Sequence, residues 1–528
     1  MSDSGDDNSV TVSIVQYLSP ANSGSCGYCK RGKKKPDGTP AVVNVPPLEN
    51  EEPSYSLGVI AHFLTCEDFN RMLDIGWNSH EKHSGEVVMP LSVCPSVWAH
   101  ELLVSDYQAL CDRGFRRSGK YLYKPIMDRT CCPQYTIRLD VHRFRMSRTH
   151  KRVLKNMHNF LKYGKRPERT IADPTQHPSA PTTAPKPDSA SSRGEPRPVP
   201  VRPERGIKKK EFRRQRAVDR LRAKGENVFE YQRQRRIKEE SRRRTIQSFI
   251  EPYVEGEWAH KLEIRMIQKG SPEFERSFEE SYALFVKYQS SIHEDANTSR
   301  KGYEGFLMSS PLITKPADRS IQPVLGSYHQ QYILDGRIIA VGVIDLLPRC
   351  LSSKYFYYDP DFSFLTMGTY SALREIAFTQ GLAVNRPDLH YYYMGYYLQE
   401  CPKMRYKGRF HPSDLLCDQT FKWMPLEQAV AKIVANNSKF TVFYPNDPRP
   451  PGPSLAAIRV MLKDKIRRYP SLRHELTGQK LLEFDENMSE LIYYMHTTIE
   501  SVVIFFPHMT TDVPDDGMQD LYGDSDNS

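Results

Sequence analysis

Hydrophobic and polar positions are most clearly ordered between Ser327 and Tyr397. Two alternating or apolar runs, SYHQQYIL and RIIAVGVIDLL, flank Asp335-Gly336, a dipeptide suited to a two-residue hairpin turn. Lys354 to Tyr358 reads as a third strand, closed by Asp359-Pro360-Asp361. From Met367 to Phe378 apolar residues recur at helical spacing, and Gly381 is expected just past the helix end. His390 to Tyr397, almost wholly Tyr, is the last strand. The predicted order is β-β-β-α-β, which belongs to an α/β domain.

The rest of the chain divides by composition. Residues 1–135 hold seven of the ten Cys and read as a small Cys-cluster domain. Residues 136–163 are expected to be a basic helical extension. Residues 164–250 form a linker, first rich in Pro, Ser, Thr and Ala and expected to be disordered, then basic over 206–246. A globular domain spans 251–445. After the breaker PNDPRPPGPS, amphipathic helices are expected at 455–467 and 482–500, followed by an acidic, disordered tail. Residues 60–82 also align without gaps on 98–120, sharing Ala61/Ala99, His62/His100, Asp68/Asp106, Asp74/Asp112 and Gly76/Gly114. Residues 40–97 therefore read as an insert carrying a diverged copy of the segment that follows it. Both copies are expected to be short helices ending at a Gly.

Composition narrows the classes. The net charge of +10 allows an anionic partner without requiring one. No apolar run approaches the roughly 18–20 residues needed to cross a bilayer, so no membrane association is expected. The N-terminus, MSDSGDDNSV, lacks the features of a signal peptide. A cytoplasmic and nuclear location is expected, where close Cys pairs act as metal ligands or free thiols rather than disulfides.

Several clusters carry chemistry. Cys26 and Cys29 together with Cys131 and Cys132 supply four thiolates, the number a tetrahedral zinc or an iron–sulfur cluster needs; the alternative is a redox pair at Cys26/Cys29 and two ordinary residues at 131 and 132. The other cysteines, Cys401 among them, read as isolated packing residues. Asp345, Asp359 and Asp361 lie at strand ends, either to hold a guanidinium or only to build turns and caps. His329, Gln330, Gln331 and Tyr332 line one strand, Lys403, Arg405, Lys407 and Arg409 alternate after Cys401-Pro402, and Tyr393 and Tyr396 offer faces and hydroxyls.

Taken together, CGYC, WAH…SDYQALCDRGFRRSGKYLYKP…TCCPQYTIR, FLMSSPL (306–312) and nearly all of 327–409 resemble the eukaryotic arginyl-tRNA–protein transferases. The resemblance implies a GNAT-like acyltransferase domain, zinc or an iron–sulfur cluster on the N-terminal cysteines, and arginyl-tRNA as co-substrate. It also implies a monomer that acts on protein N-termini beginning with Asp, Glu or oxidised Cys and marks them for N-degron-dependent degradation. His329, Gln331 and Asp345 are then the catalytic candidates. Gln330, Tyr332, Asp359, Asp361, Tyr393, Tyr396, Lys403, Arg405 and Lys407 are the substrate-binding ones. Two other readings stand beside it: a GNAT enzyme using acyl-CoA, and a non-catalytic RNA-binding zinc protein. Against the first, the turn before the helix, SFLTMGTY, has only Gly368 where acyl-CoA enzymes have a Gly-rich phosphate cradle.

Overall fold

The computed structural model describes residues 12–18, 58–59, 87–88, 96–167, 209–225, 227–241, 244–293, 298–462, 465–506 and 509. Cys26, Cys29, the first copy of the repeat, the Pro-rich linker segment and the acidic tail lie outside them. In chain order the strands begin with β1 (Ser13–Leu18), β2 (Gly58–Val59), β3 (Val87–Val88), β4 (Ser96–Leu103), β5 (Arg116–Ser118), β6 (Tyr121–Tyr123) and β7 (Tyr135–Asp140). There follow β8 (Leu262–Gln268), β9 (Leu312–Ile313), β10 (Gly326–Leu334), β11 (Arg337–Leu346), β12 (Cys350–Tyr358) and β13 (Tyr391–Tyr397). The last are β14 (Ser413–Leu416), β15 (Trp423–Pro425), β16 (Arg459–Leu462), β17 (Lys465–Arg468) and β18 (Val502–Phe505). The longer helices are α1 (Val104–Cys111), α2 (Arg148–Tyr163), α3 (Lys209–Ala223), α4 (Val228–Ser241), α5 (Pro272–Tyr288), α6 (Met367–Leu382), α7 (Leu426–Ala435) and α8 (Gly478–Met495).

Two units result: residues 1–176 with 251–528, and residues 177–250. The smaller unit contains α3 and α4, joined through Gly225 at φ +70°. The larger unit is mixed α/β and has two eight-stranded sheets. One runs β15-β14-β7-β13-β12-β11-β10-β8. The other runs β17-β16-β18-β1-β4-β6-β5, with β9 added beside β4.

The expected β-β-β-α-β order is present. Asp335 and Gly336 turn the β10–β11 hairpin with φ of +50° and +86°, the double left-handed turn that suits strand twist. The Asp335 carboxylate accepts from the Lys261 amide at 2.7 Å, which anchors β8 to the turn. Helix α5 covers one face of this sheet, where the Ser281 hydroxyl meets that of Tyr357 at 2.8 Å. Helix α6 covers the other, with Tyr370 against Tyr332.

Four expectations need correction. Strand β12 starts at Cys350 rather than Lys354, because Cys350, Leu351 and Ser352 are buried beside β11. Gly381 lies inside the last turn of α6, not beyond it. The supposed helical extension opens as β7, which enters the sheet between β13 and β14, and its helix starts only at Arg148. The stretch expected as a helix over 455–467 forms β16 and β17, with Val460 and Leu462 buried at alternate positions. In the second copy of the repeat, α1 is followed by Gly114 at φ +95°, as the sequence predicts.

Candidate active site

The central sheet opens between β12 and β13. The two strands are parallel, but only Cys350, Leu351 and Ser352 pair, with Tyr391, Tyr392 and Tyr393. Beyond these pairs the strands part. On β13 the register against β7 shifts between Tyr393 and Tyr396, and Gly395 takes φ +70°. On β12 the register against β11 shifts so that Lys354 has no partner residue. Ser353, Lys354, Tyr355 and Phe356 are therefore partly exposed in the middle of an otherwise buried strand. Such an opening offers a ligand a strand edge without a laddered neighbour.

Two titratable groups border this gap. Glu375 of α6 is 1% exposed. It accepts from the Tyr392 hydroxyl at 2.8 Å, while its Oε1 is buried with no partner among the described residues. Burial pushes its carboxyl up to about 7 against the pull of Tyr392 and Ser353. A Cβ on Gly342 would lie 3.2 Å from Oε1, so glycine keeps this site open. Lys407 donates to the Tyr396 carbonyl at 2.8 Å, and its Nζ lies 3.8 Å from where a Gly395 Cβ would stand. Burial, with the Arg116 charge nearby, lowers its ammonium to about 7.

On the α5 face a strap formed by residues 304–310 spans the sheet, and its carbonyls collect donors. Lys354 reaches Phe306 O at 2.8 Å and His329 Nε2 reaches Leu307 O at 3.3 Å. Arg117 reaches Ser309 O at 3.3 Å. Burial holds His329 down at about 4, so its imidazole is neutral near pH 7. Gln331 donates to Ser277 at 2.8 Å. Asp345 is bound through both oxygens by Arg117, at 2.8 and 2.5 Å. The three catalytic candidates therefore share this face, each in contact with protein groups.

The binding candidates are spread out. Gln330 and Tyr332 face α6 and bond each other at 2.8 Å. Asp359 and Asp361 share Lys287, at 2.6 and 2.7 Å, and Asp359 also caps the following turn. Tyr393 donates to Asp112 and Tyr396 to Gly114 O, docking β13 on the α1–β5 turn. Lys403, Arg405, Lys407 and Arg409 do not alternate in space: Pro402 starts a short helix, Pro402–Arg405, followed by a 3-10 turn, Tyr406–Arg409. Glu375, Lys354 and Arg117 were not singled out from sequence. A lone acid inside the apolar helix and a lone Lys inside an aromatic strand were the available signals.

Cys131 and Cys132 hold their sulfurs 4.0 Å apart. Two thiolates on one tetrahedral zinc lie about 3.8 Å apart, given Zn–S bonds of about 2.3 Å, so the pair fits half of such a site. Among the described residues no group of three or more potential ligands assembles a metal site. Cys401 is not isolated: it is partly exposed and lines the same cleft, of about 120 Å³, as Cys131 and Cys132.

Over 474 residues the chain is 36% identical to arginyl-tRNA–protein transferase 1 of Drosophila melanogaster, covering 80% of this chain and 84% of that one. The chain belongs to the arginine-tRNA-protein transferase family. The model of the family's N terminus matches residues 79–152, and that of its C terminus matches 280–417, which includes the gap between β12 and β13. Arginyl-tRNA–protein transferase 1 of Arabidopsis thaliana is 47% identical over 155 residues, 28% of this chain and 24% of that one. The aspartate/glutamate leucyltransferase of Stutzerimonas stutzeri is 32% identical over 151 residues, 28% of this chain and 56% of that one. Enzymes of the arginine-tRNA-protein transferase family transfer arginine from tRNA to protein N-termini.

Proposed function

We propose that the chain transfers arginine from arginyl-tRNA to proteins beginning with Asp, Glu or oxidised Cys, and that the transfer takes place in the gap between β12 and β13. The observation that carries this reading is the gap itself, a strand edge that is open at the centre of the sheet. The order β10-β11-β12-α6-β13 around a parted parallel pair supports the GNAT-like reading of the fold. An aminoacyl ester is already activated, so no enzyme nucleophile is required. The α-amine, with an ordinary pKa of about 7.7–8, needs a proton acceptor during attack. Glu375, titrating near 7 against Tyr392, suits that task. Backbone N–H groups on the free edge of β12 suit the tetrahedral oxyanion. His329, Gln331 and Asp345 act by positioning the strap and the sheet beneath it.

Lys407, with Lys403 and Arg405, supplies the cation for an acidic first residue. The acceptors named for the bacterial leucyltransferase support that choice. Cys26, Cys29, Cys131 and Cys132 hold the zinc or iron–sulfur group, which would clamp the N-terminal segment. Helix α3 carries seven Lys or Arg against two acids and suits a tRNA backbone. The basic stretch equally supports nuclear entry, and the protein works as a monomer in cytoplasm and nucleus.

The test is transfer of labelled arginine from arginyl-tRNA to peptides that differ only in their first residue. Leaving a buried cation unpaired costs about 2–5 kcal/mol, so Asp should exceed Asn and Ala by tens to thousands of fold. Equal rates on Asp and Ala peptides would remove the acidic pocket. Absence of transfer to any peptide would remove the activity.

A further inference from the structure

Two long helices begin at one cavity. Helix α2 follows its cap Ser147, helix α6 follows Thr366, and each has 16 residues. The first amides of a helix have no acceptor within it and carry the positive end of its dipole. At α2 the Ser147 hydroxyl accepts from the His150 amide at 3.1 Å, and His150 Nδ1 accepts from the Ser147 amide at 3.2 Å. That box leaves the amides of Arg148 and Thr149 without an acceptor among the described residues. At α6, Thr366 is left-handed, with φ +55°, and its side chain does not cap the helix.

Both helix starts and the Tyr406–His411 segment line a cavity of about 290 Å³. Arg409 and His411 line it, and no Asp or Glu does. Glu427, which pairs with His411 Nδ1 at 3.1 Å, is not among the lining residues.

Two residues in the lining are largely buried yet carry a side-chain donor with no protein partner among the described residues. His150 is 2% exposed. Because its Nδ1 is an acceptor, the ring proton sits on Nε2, which meets no acceptor among the described residues. Burial, with the charges of His411 and Arg409, holds this ring down at about 4, so it stays neutral. Thr366 is also 2% exposed, and its hydroxyl makes no hydrogen bond among the described residues. Donors without a protein partner beside a cavity are free to bond a ligand placed there. Two helix starts, the hydroxyl-bearing Ser147 and Thr366 turns and Arg409 line one cavity, a set of donors that suits a tetrahedral oxyanion.

Helix α6 follows β12 in the chain, and Tyr406–His411 follows β13.

We propose that this cavity binds a backbone phosphate of the single-stranded acceptor end of the nucleic-acid substrate. The assignment rests on the aminoacyl-transfer reading and adds to it a site that would hold the acceptor end.

The test is binding to the full-length protein, independent of turnover. The probes are a CCA trinucleotide with ordinary phosphodiester links and the same trinucleotide with neutral methylphosphonate links. The wild type should prefer the charged probe by about tenfold or more. Arg409→Ala and Thr366→Val, checked for native melting, should each reduce that preference, whereas Thr366→Ser should retain it. Inorganic phosphate should displace the charged probe from the wild type. A wild type that binds both probes equally, or variants that keep the full preference, would overturn the proposal. If inorganic phosphate binds and needs Arg409 while the two trinucleotides bind alike, the cavity is a free-phosphate site and the acceptor-end assignment is wrong. Transfer from intact arginyl-tRNA to an Asp peptide, run in parallel, separates the failures: no transfer counts against the enzyme reading, whereas transfer with charge-blind binding counts against this cavity alone.

Discussion

Arg117 and Asp345 tie the two large sheets together, Arg117 from β5 and Asp345 from β11. Both are buried, at 1% and 0% side-chain exposure. Arg117 has other acceptors: the Ser327 hydroxyl at 2.7 Å, Gly119 O at 2.8 Å and Ser309 O at 3.3 Å. Asp345 has one other side-chain donor, Ser327, at 2.8 Å. The two single substitutions should therefore differ. Arg117→Met strands a buried carboxylate, and breaking a buried pair in this way costs about 3–5 kcal/mol. Asp345→Asn leaves Arg117 its carbonyl and hydroxyl acceptors, so the loss should be about 1–3 kcal/mol. Removing both charges, as Arg117→Met with Asp345→Leu, should bring stability back close to wild type, since buried pairs replaced by apolar groups of similar volume are often neutral. Urea unfolding of wild type, Arg117→Met, Asp345→Leu and the double variant gives the coupling, with Asp345→Asn measured beside them, and the transfer assay on each gives function. The expected result is that transfer recovers with stability in the double variant. A double variant that is stable yet inactive would give the Arg117–Asp345 pair a part in the reaction beyond stability. A loss below about 1 kcal/mol in Arg117→Met would refute the reasoning about burial itself.

Four further outcomes are expected. Lys407 loses its proton in the fold near pH 7, whereas in the unfolded chain it does so near its ordinary 10.5. The unfolded state therefore binds more protons between those values, and wild type should gain stability over Lys407→Met as pH rises from about 7 to 10, while Asp-over-Ala selectivity, which needs the ammonium, declines. Glu375 shifts the opposite way, from 4.5 to about 7, so wild type should lose stability relative to Glu375→Gln as pH rises from about 4.5 to 7; parallel urea midpoints would refute either sign. Cys131→Ser combined with Cys132→Ser should lower bound zinc or iron and loosen the N-terminal segment, measured by metal analysis and absorption spectra; unchanged metal content would exclude both as ligands. Deleting residues 41–95 should leave folding and transfer intact, because Leu18 of β1 pairs directly with Ser96 of β4 and a shorter connection closes at lower entropic cost; loss of folding in circular dichroism would make the insert structural.

What the sequence revealed of the fold depended on how local each determinant is. The β10–β11 hairpin was legible because its turn is decided by two adjacent residues, Asp335 and Gly336. The order of strands and of α6 followed from runs of about ten residues. The stretch after Leu455 was not legible, because Val460 and Leu462 alternate over only four residues within a run of Lys and Arg that favours a helix equally well. At 403–409 the alternation was real in sequence, but Pro402 at a helix start removed its meaning in space.

The site was less legible for the same reason. Lys407 was singled out as a substrate-binding candidate for its charge, yet its lowered affinity for a proton comes from burial and from Arg116, far away in the chain. Asp345 invited a role in substrate binding because nothing near it in sequence suggests a partner. Its partner is Arg117, 228 residues earlier. The gap itself arises from two register shifts on different strands, against β11 and β7, and neither strand alone signals it. Charged residues in such a chain are thus first candidates for function and then, once their distant partners are seen, divide into two kinds. Asp345, Asp359 and Asp361 have protein cations, so a substrate guanidinium would have to displace Arg117 or Lys287 to reach them. Among the described residues Glu375 has neutral hydroxyl donors and one oxygen with no partner. A buried carboxyl without a cation is expensive to ionise, which is why its proton affinity falls in the range a transfer reaction can use.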